Sequence, residues 1–247
     1  HVYYYRLPRE VNRQQLCGNW NPHWTVLGES LSYEEFDLVL YAEHQLYCDN
    51  MELGEGIAPN KALRENLFVM IVCIFNRIPL FVVGKPGTSK SLSMQIIANN
   101  LRGKQSDSRY WQAFPAVYVV PYQCSPMSTS ASIRVQFDKA CAYQQKQGIN
   151  TVTVLLLDEV GLAEHSPDMP LKVLHEVLVD SPVAIVGISN WALDPAKMNR
   201  AVCLRRPEPK ENDLQVWEIH HSNTIATLYS YTVSYSVCGA THIHTEK

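Results

Sequence analysis

Residues Gly84-Lys85-Pro86-Gly87-Thr88-Ser89-Lys90-Ser91 carry the residue types and spacing with the most chemical consequence in this 247-residue chain. They follow an apolar run, Leu80-Phe81-Val82-Val83, and precede Leu92, Ile96 and Ile97 at helical spacing. A glycine-containing turn between a strand and a helix aims successive backbone N–H groups into one concavity, where the positive end of the helix dipole adds to the field. The oxygens of a phosphate chain fit such a cradle. Gly84 to Leu92 is therefore the candidate phosphate-binding segment, with Lys90 reaching the β- and γ-phosphates and the Ser91 hydroxyl holding Mg²⁺. Ser89 stands where this pattern usually has glycine. A side chain there crowds the phosphates or demands an unfavourable backbone angle.

A second group of acids lies further on. Thr151-Val152-Thr153-Val154-Leu155-Leu156-Leu157 reads as a strand buried on both faces, and it ends in Asp158-Glu159. Ligands of open α/β sheets bind at the carboxyl ends of strands, where these acids fall. Asp158 would hold Mg²⁺, directly or through water, and Glu159 would orient and polarise the water that attacks a γ-phosphate. Without the phosphate loop, a solvated acidic turn would be the better reading of this pair. A third strand, Val183 to Ile188, ends in Ser189-Asn190. The Asn190 amide suits both the attacking water and a γ-phosphate oxygen, although an Asn that caps a turn fits the spacing equally.

Taken together, Gly-Lys-Pro-Gly-Thr-Ser-Lys-Ser, Leu-Leu-Leu-Asp-Glu-Val-Gly-Leu-Ala-Glu and Gly-Ile-Ser-Asn-Trp-Ala-Leu-Asp-Pro-Ala-Lys-Met-Asn-Arg-Ala resemble an AAA+ ATPase unit. More narrowly, they resemble the tandem AAA+ units of the mysterin family of giant RING-type E3 ubiquitin ligases. The Ser-Lys-Ser ending of the loop is part of that resemblance, which spans roughly 53–209. It implies an α/β fold of the P-loop NTPase type, a three-layer sandwich with a parallel five-stranded sheet and right-handed crossovers. It also implies ATP and Mg²⁺ as cofactors, with hydrolysis in the full-length parent setting the state of a ubiquitin ligase.

Several finer expectations come from the resemblance alone. Arg200 is the implied finger against the nucleotide of a neighbouring unit, with Arg205 and Arg206 as rivals. Ile57 and Ala58 are the implied adenine neighbours. The loop after the second strand is implied to face a pore, with Met127 as its one apolar grip. Implied partners are neighbouring AAA+ units in the same parent chain or ring and a polypeptide substrate, and the implied setting is cytoplasmic with lipid-droplet association. Two alternatives remain open: a nucleotide-binding unit that does not hydrolyse and acts as a brace, and a dynein-like AAA+ motor unit.

Composition bounds the rest. Hydrophobic residues make up 46% and charged residues 18%, which fits a globular chain rather than a disordered one. The net charge of −3, with basic residues scattered, gives no field that favours nucleic acid. The apolar stretch from Leu67 to Val83 is broken by Asn76-Arg77 and Pro79, so a helix followed by a strand explains it better than a transmembrane segment. None of the seven cysteines pairs at C-x-x-C spacing, so no zinc RING is expected here. A chain that opens on His1 reads as a piece of a longer protein.

Three regions are expected: 1–52 as an N-terminal extension with one helix, 53–210 as the AAA+ domain, and 211–247 as an atypical tail. Ser32 and Glu35 form a capping box ahead of a helix whose inner face is Phe36, Val39, Leu40 and Leu46. A second helix carries Leu63, Leu67, Met70, Ile71 and Ile74 on one stripe, and Ala116 to Val120 is a strand followed by a turn from Pro121 to Ser132. Ile133, Phe137, Ala140, Cys141 and Gln144 suit a helix packed on the sheet, and Leu171, Leu174 and Leu178 place another over Met169 to Asp180. His175 and Trp191 read as packing. The tail alternates Tyr229, Tyr231, Val233 and Tyr235 like a strand, so the helical lid usual in AAA+ units is expected to be missing. His242, His244 and Glu246 are a weak metal pattern.

Overall fold

The computed structural model of the protein describes residues 13–15, 32–178, 180–195 and 199–206. The tail, with its strand-like alternation, its histidines and any lid, lies outside them. Of the described residues, 53–61 belong to one compact unit and the others to a second.

The larger unit is built on five parallel strands, β1 (Leu80–Val83), β2 (Ala116–Gln123), β3 (Thr151–Asp158), β4 (Ala184–Ser189) and β5 (Val202–Arg205), in the order β2-β3-β4-β1-β5. Every residue of β1 and β4 is buried. Successive strand side chains point to opposite faces, so full burial means that both faces of the sheet centre are covered. The expected helix-sheet-helix layering is thereby met. Phe81, Leu155, Leu157 and Ile185 from the strands meet Ile133, Phe137, Leu171 and Leu174 in one apolar cluster. Gly187 makes room for this packing: a Cβ there would sit 2.3 Å from the Phe81 ring.

The helices are α1 (Tyr33–Asp49), α2 (Lys61–Phe75), α3 (Lys90–Asn100), α4 (Ser130–Gln147), α5 (Val160–Glu164) and α6 (Leu174–Val177). The capping box forms: the Ser32 hydroxyl accepts from Glu35 N at 3.1 Å and the Ser32 N–H donates to Glu35 Oε2 at 2.8 Å. The inner face of α1 differs from expectation. It is Phe36, Leu40, His44 and Cys48, at spacings of four, while Val39 and Leu46 are exposed. The α2 stripe is buried as expected, and it contains Asn66 as well.

Two boundaries also differ. β2 runs through Pro121 to Gln123, into the first residues of the expected turn. Proline is tolerated because β2 is an edge strand with β3 on one side only, where a missing N–H breaks no second ladder. The expected helix from Met169 to Asp180 is instead a 3₁₀ turn, Pro170–Val173, followed by the single turn of α6. Its leucines are buried nonetheless. Burial was readable from their spacing; the turn type was not.

His44 gives the fold a pH dependence. Its ring lies 4.7 Å from Phe68, and burial pulls its pKa down from 6.5 to about 4, only partly offset by Glu65. The folded value is below the unfolded one, so this stabilisation is complete above pH 6.5 and falls away as pH drops towards 4. We expect the urea midpoint to drop between pH 7.5 and 5 by the equivalent of at most ~2 kcal/mol, and His44→Phe to flatten that change. A midpoint equally pH-dependent in the variant would remove His44 as the cause.

Candidate functional site

The sheet order puts the Gly84–Ser91 loop, at the carboxyl end of β1, directly beside the end of β4. The Gly84 N–H donates to Ser189 O at 3.1 Å, joining the two ends. Gly84 has no room for a side chain, since a Cβ would lie 2.6 Å from Arg206 Cβ. Lys85, Pro86 and Gly87 are exposed, Gly87 with φ +84°, while Thr88 is buried. Ser89, the departure from the usual pattern, takes the left-handed conformation at φ 56° and ψ 23°. This is the unfavourable angle expected of a glycine-like position, and for a side chain it costs about 1–2 kcal/mol.

Lys90 begins α3 with its side chain folded back into the loop. Its ammonium donates to Gly84 O at 2.6 Å, Lys85 O at 3.0 Å and Asn190 Oδ1 at 3.1 Å, with Thr88 Oγ1 at 3.4 Å. Burial pulls its pKa below the ordinary lysine value, and Glu159 and Asp158 act in the opposite direction. Asn190 then passes the contact on: its Nδ2 donates to both Glu159 oxygens, each at 2.8 Å. The orientation of that amide is fixed by charge. Turned over, it would set its oxygen against a carboxylate and its NH₂ against an ammonium.

The three residues of this chain come from three separate segments, and the sequence reading named all of them. Glu159 itself has φ 52°, an uncommon conformation outside glycine and one that concentrates at functional sites. Asp158 Oδ1 accepts the Glu159 N–H at 3.0 Å, and both acids are half-buried. Ser91 is exposed on the first turn of α3, and Leu92 is half-buried. Among the described residues, no three His, Cys, Asp or Glu side chains converge as a metal site. One carboxylate and one hydroxyl are hard oxygen donors, and they suit Mg²⁺ when phosphate oxygens and water complete the shell.

The arginines separate. Arg206 is paired with Glu65 at 2.6 Å with both side chains almost buried, so it is no surface cation. Arg205 is exposed. Arg200 is exposed too, and its Nη1 donates to His175 O at 2.8 Å. His175 thus serves the arginine through its backbone. Trp191 lies at the surface over Gly161, where a Cβ would be 2.8 Å from the indole. Met127 is 84% exposed at the loop after β2. Sequence reasoning missed β5, the Glu65–Arg206 pair and Asn66. The available signal for Asn66 was an amide placed inside an otherwise apolar helical stripe.

A glycine-containing loop after β1, an acid pair ending β3 and an amide after β4 of one parallel sheet fit an AAA+ unit, the class that the family match assigns. The chain belongs to the RNF213 AAA domain family, whose model matches residues 56–213. It is 47% identical over 180 residues to human E3 ubiquitin-protein ligase RNF213, covering 68% of this chain and 4% of that protein. Against zebrafish E3 ubiquitin-protein ligase rnf213-beta it is 46% identical over 177 residues, 67% of this chain and 4% of that one. The chain thus spans a small part of these relatives. Among solved structures, C. elegans PCH-2 matches with a TM-score of 0.46 at 16% identity, covering 80% of this chain and 55% of that one. Aeropyrum pernix ORC1 in complex with DNA matches with a TM-score of 0.48 at 14% identity, covering 69% and 51%. Among the described residues, no helix is long and apolar enough to cross a membrane.

Proposed function

We propose that this unit binds ATP with Mg²⁺ at Gly84 to Leu92, and that within the longer protein it hydrolyses ATP to set the conformation or assembly of a mysterin-type ubiquitin ligase. The observation that carries this reading is the continuous hydrogen-bonded path from Lys90 through Asn190 to Glu159. It links the group suited to phosphate charge with the group suited to activating water.

Bound Mg²⁺ would neutralise phosphate charge between Ser91 and Asp158. Lys90 exchanges its bonds to the Gly84 and Lys85 carbonyls for phosphate oxygens. Asn190 Nδ2 turns one N–H from Glu159 to a γ-phosphate oxygen, which releases one side of Glu159 to accept a proton from water. Arg200, tethered among the described residues at one nitrogen, presents its remaining donors to the nucleotide of an adjoining unit. By its likeness to the mysterin family, the proposed partners are neighbouring AAA+ units and a polypeptide substrate, and the proposed setting is the cytoplasm with lipid droplets.

The brace reading has its own support. Asn190 holds both oxygens of Glu159, and a serine replaces the loop's usual glycine. Single-turnover hydrolysis by wild type beside Glu159→Gln separates the two. A faster wild type supports the enzyme, and equal rates with ATP bound support the brace.

A further inference from the structure

α2 reaches the phosphate loop through one residue that the sequence pattern did not single out. Asn66 has no exposed surface, and it shares its helix face with Leu63, Leu67 and Met70. An amide in such surroundings is costly unless bonded, and asparagine is a poor helix former. Asn66 Nδ2 donates to Thr88 O at 3.0 Å, while its Oδ1 is buried with no hydrogen-bond partner among the described residues. A leucine at this position would fill similar space without leaving an orphan. The residue therefore gives up stability, and what it gains is a hold on one carbonyl of the phosphate loop.

That carbonyl matters because it sets the direction of the next N–H. In a trans peptide the two groups point in opposite directions, and no peptide bond among the described residues is cis. Drawing Thr88 O inward to α2 turns the Ser89 N–H outward, away from the protein interior. Ser89 is also the residue held at φ 56°, and such a conformation persists only where the surroundings over-determine it. Thr88 is fixed a second time by its own hydroxyl, which donates to Lys85 O at 2.9 Å. The adjacent Glu65 ties the same turn of α2 to Arg206, beside Gly84.

We propose that Asn66 is a positioning residue for the phosphate loop: its amide sets the Thr88–Ser89 peptide so that the Ser89 N–H faces a β-phosphate. This rests on the reading of Gly84 to Ser91 as a nucleotide site. Asn66 touches no substrate and acts through the loop.

The test compares Asn66→Leu and Asn66→Ala with wild type in the 247-residue chain, by titration with ATP, ADP and AMP and by hydrogen exchange at the Ser93 amide, which is bonded to Ser89 O. Asn66→Leu is expected to be as stable as wild type or more so, yet to bind ATP and ADP about tenfold more weakly. AMP has no β-phosphate, so its affinity should not change, and the Ser93 amide, which donates to Ser89 O at 3.0 Å, should exchange faster. Leu67→Ala, a destabilising neighbour on α2, should leave the ADP-to-AMP ratio as it is. ATP and ADP affinities within about twofold of wild type in folded Asn66→Leu would overturn the proposal, as would an equal loss for AMP. If wild type takes none of the three nucleotides, the site reading fails instead. Exchange at Ser93 then decides alone whether Asn66 holds the loop: unchanged exchange overturns it, and faster exchange supports it.

Discussion

Lys90→Ala should abolish nucleotide binding while the sheet stays folded. The ammonium makes three short contacts, at 2.6, 3.0 and 3.1 Å, with acceptors that a triphosphate would replace. Charge-assisted bonds contribute roughly 1.5–3 kcal/mol each, so losing two of them weakens ATP at least ~100-fold. Folding should suffer much less. Lys90 is a buried cation at the first position of α3, where the helix dipole opposes positive charge, and burial already pulls its pKa down. Isothermal titration with ATP and ADP, beside a melting curve, checks both halves. Unchanged affinity would move the site away from this loop.

Glu159→Gln should leave ATP affinity near wild type and cut the single-turnover rate by about 10²–10⁴-fold, the range for a lost general base. The substitution keeps shape and one acceptor oxygen for Asn190 Nδ2, which now donates to two. It removes the only function that a neutral amide cannot perform, accepting a proton from water. Radiolabelled ATP in excess enzyme gives the rate directly. If both proteins turn over ATP at one slow rate, Glu159 is no base and the brace reading gains.

The sequence made the site's members legible because each ends an apolar run: Lys90 and Ser91 after β1, Asp158 and Glu159 after β3, Asn190 after β4. Strand ends on one edge of a parallel sheet converge whatever the loops do, so naming the runs nearly named the site. What the letters left open was contact. Whether Asn190 reads phosphate or caps a turn was even by spacing; its bonds to Lys90 and Glu159 place it between the loop and the acid. Asn66 stayed hidden because the α2 stripe is satisfied by its apolar members, and a carbonyl on a distant loop leaves no trace in spacing. β5 was missed because Val202–Arg205 ends in a charge, so it lacks the unbroken apolar run that made the equally short β1 readable. On α1 the opposite error occurred: Val39 and Leu46 look like core by type, yet the helix turns Phe36, Leu40, His44 and Cys48 inward. Pattern reading handles long buried runs well, and it fails where a single polar atom or a short edge decides.

The most direct test of the account is the structure of the chain with a slowly hydrolysed ATP analogue and Mg²⁺. The account predicts Lys90 Nζ moved from Gly84 O onto β- and γ-phosphate oxygens, with Asp158 and Ser91 at the metal and Asn190 turned to the γ-phosphate. A nucleotide bound elsewhere, with Lys90 still on Gly84 O and Asn190 still across Glu159, would contradict it.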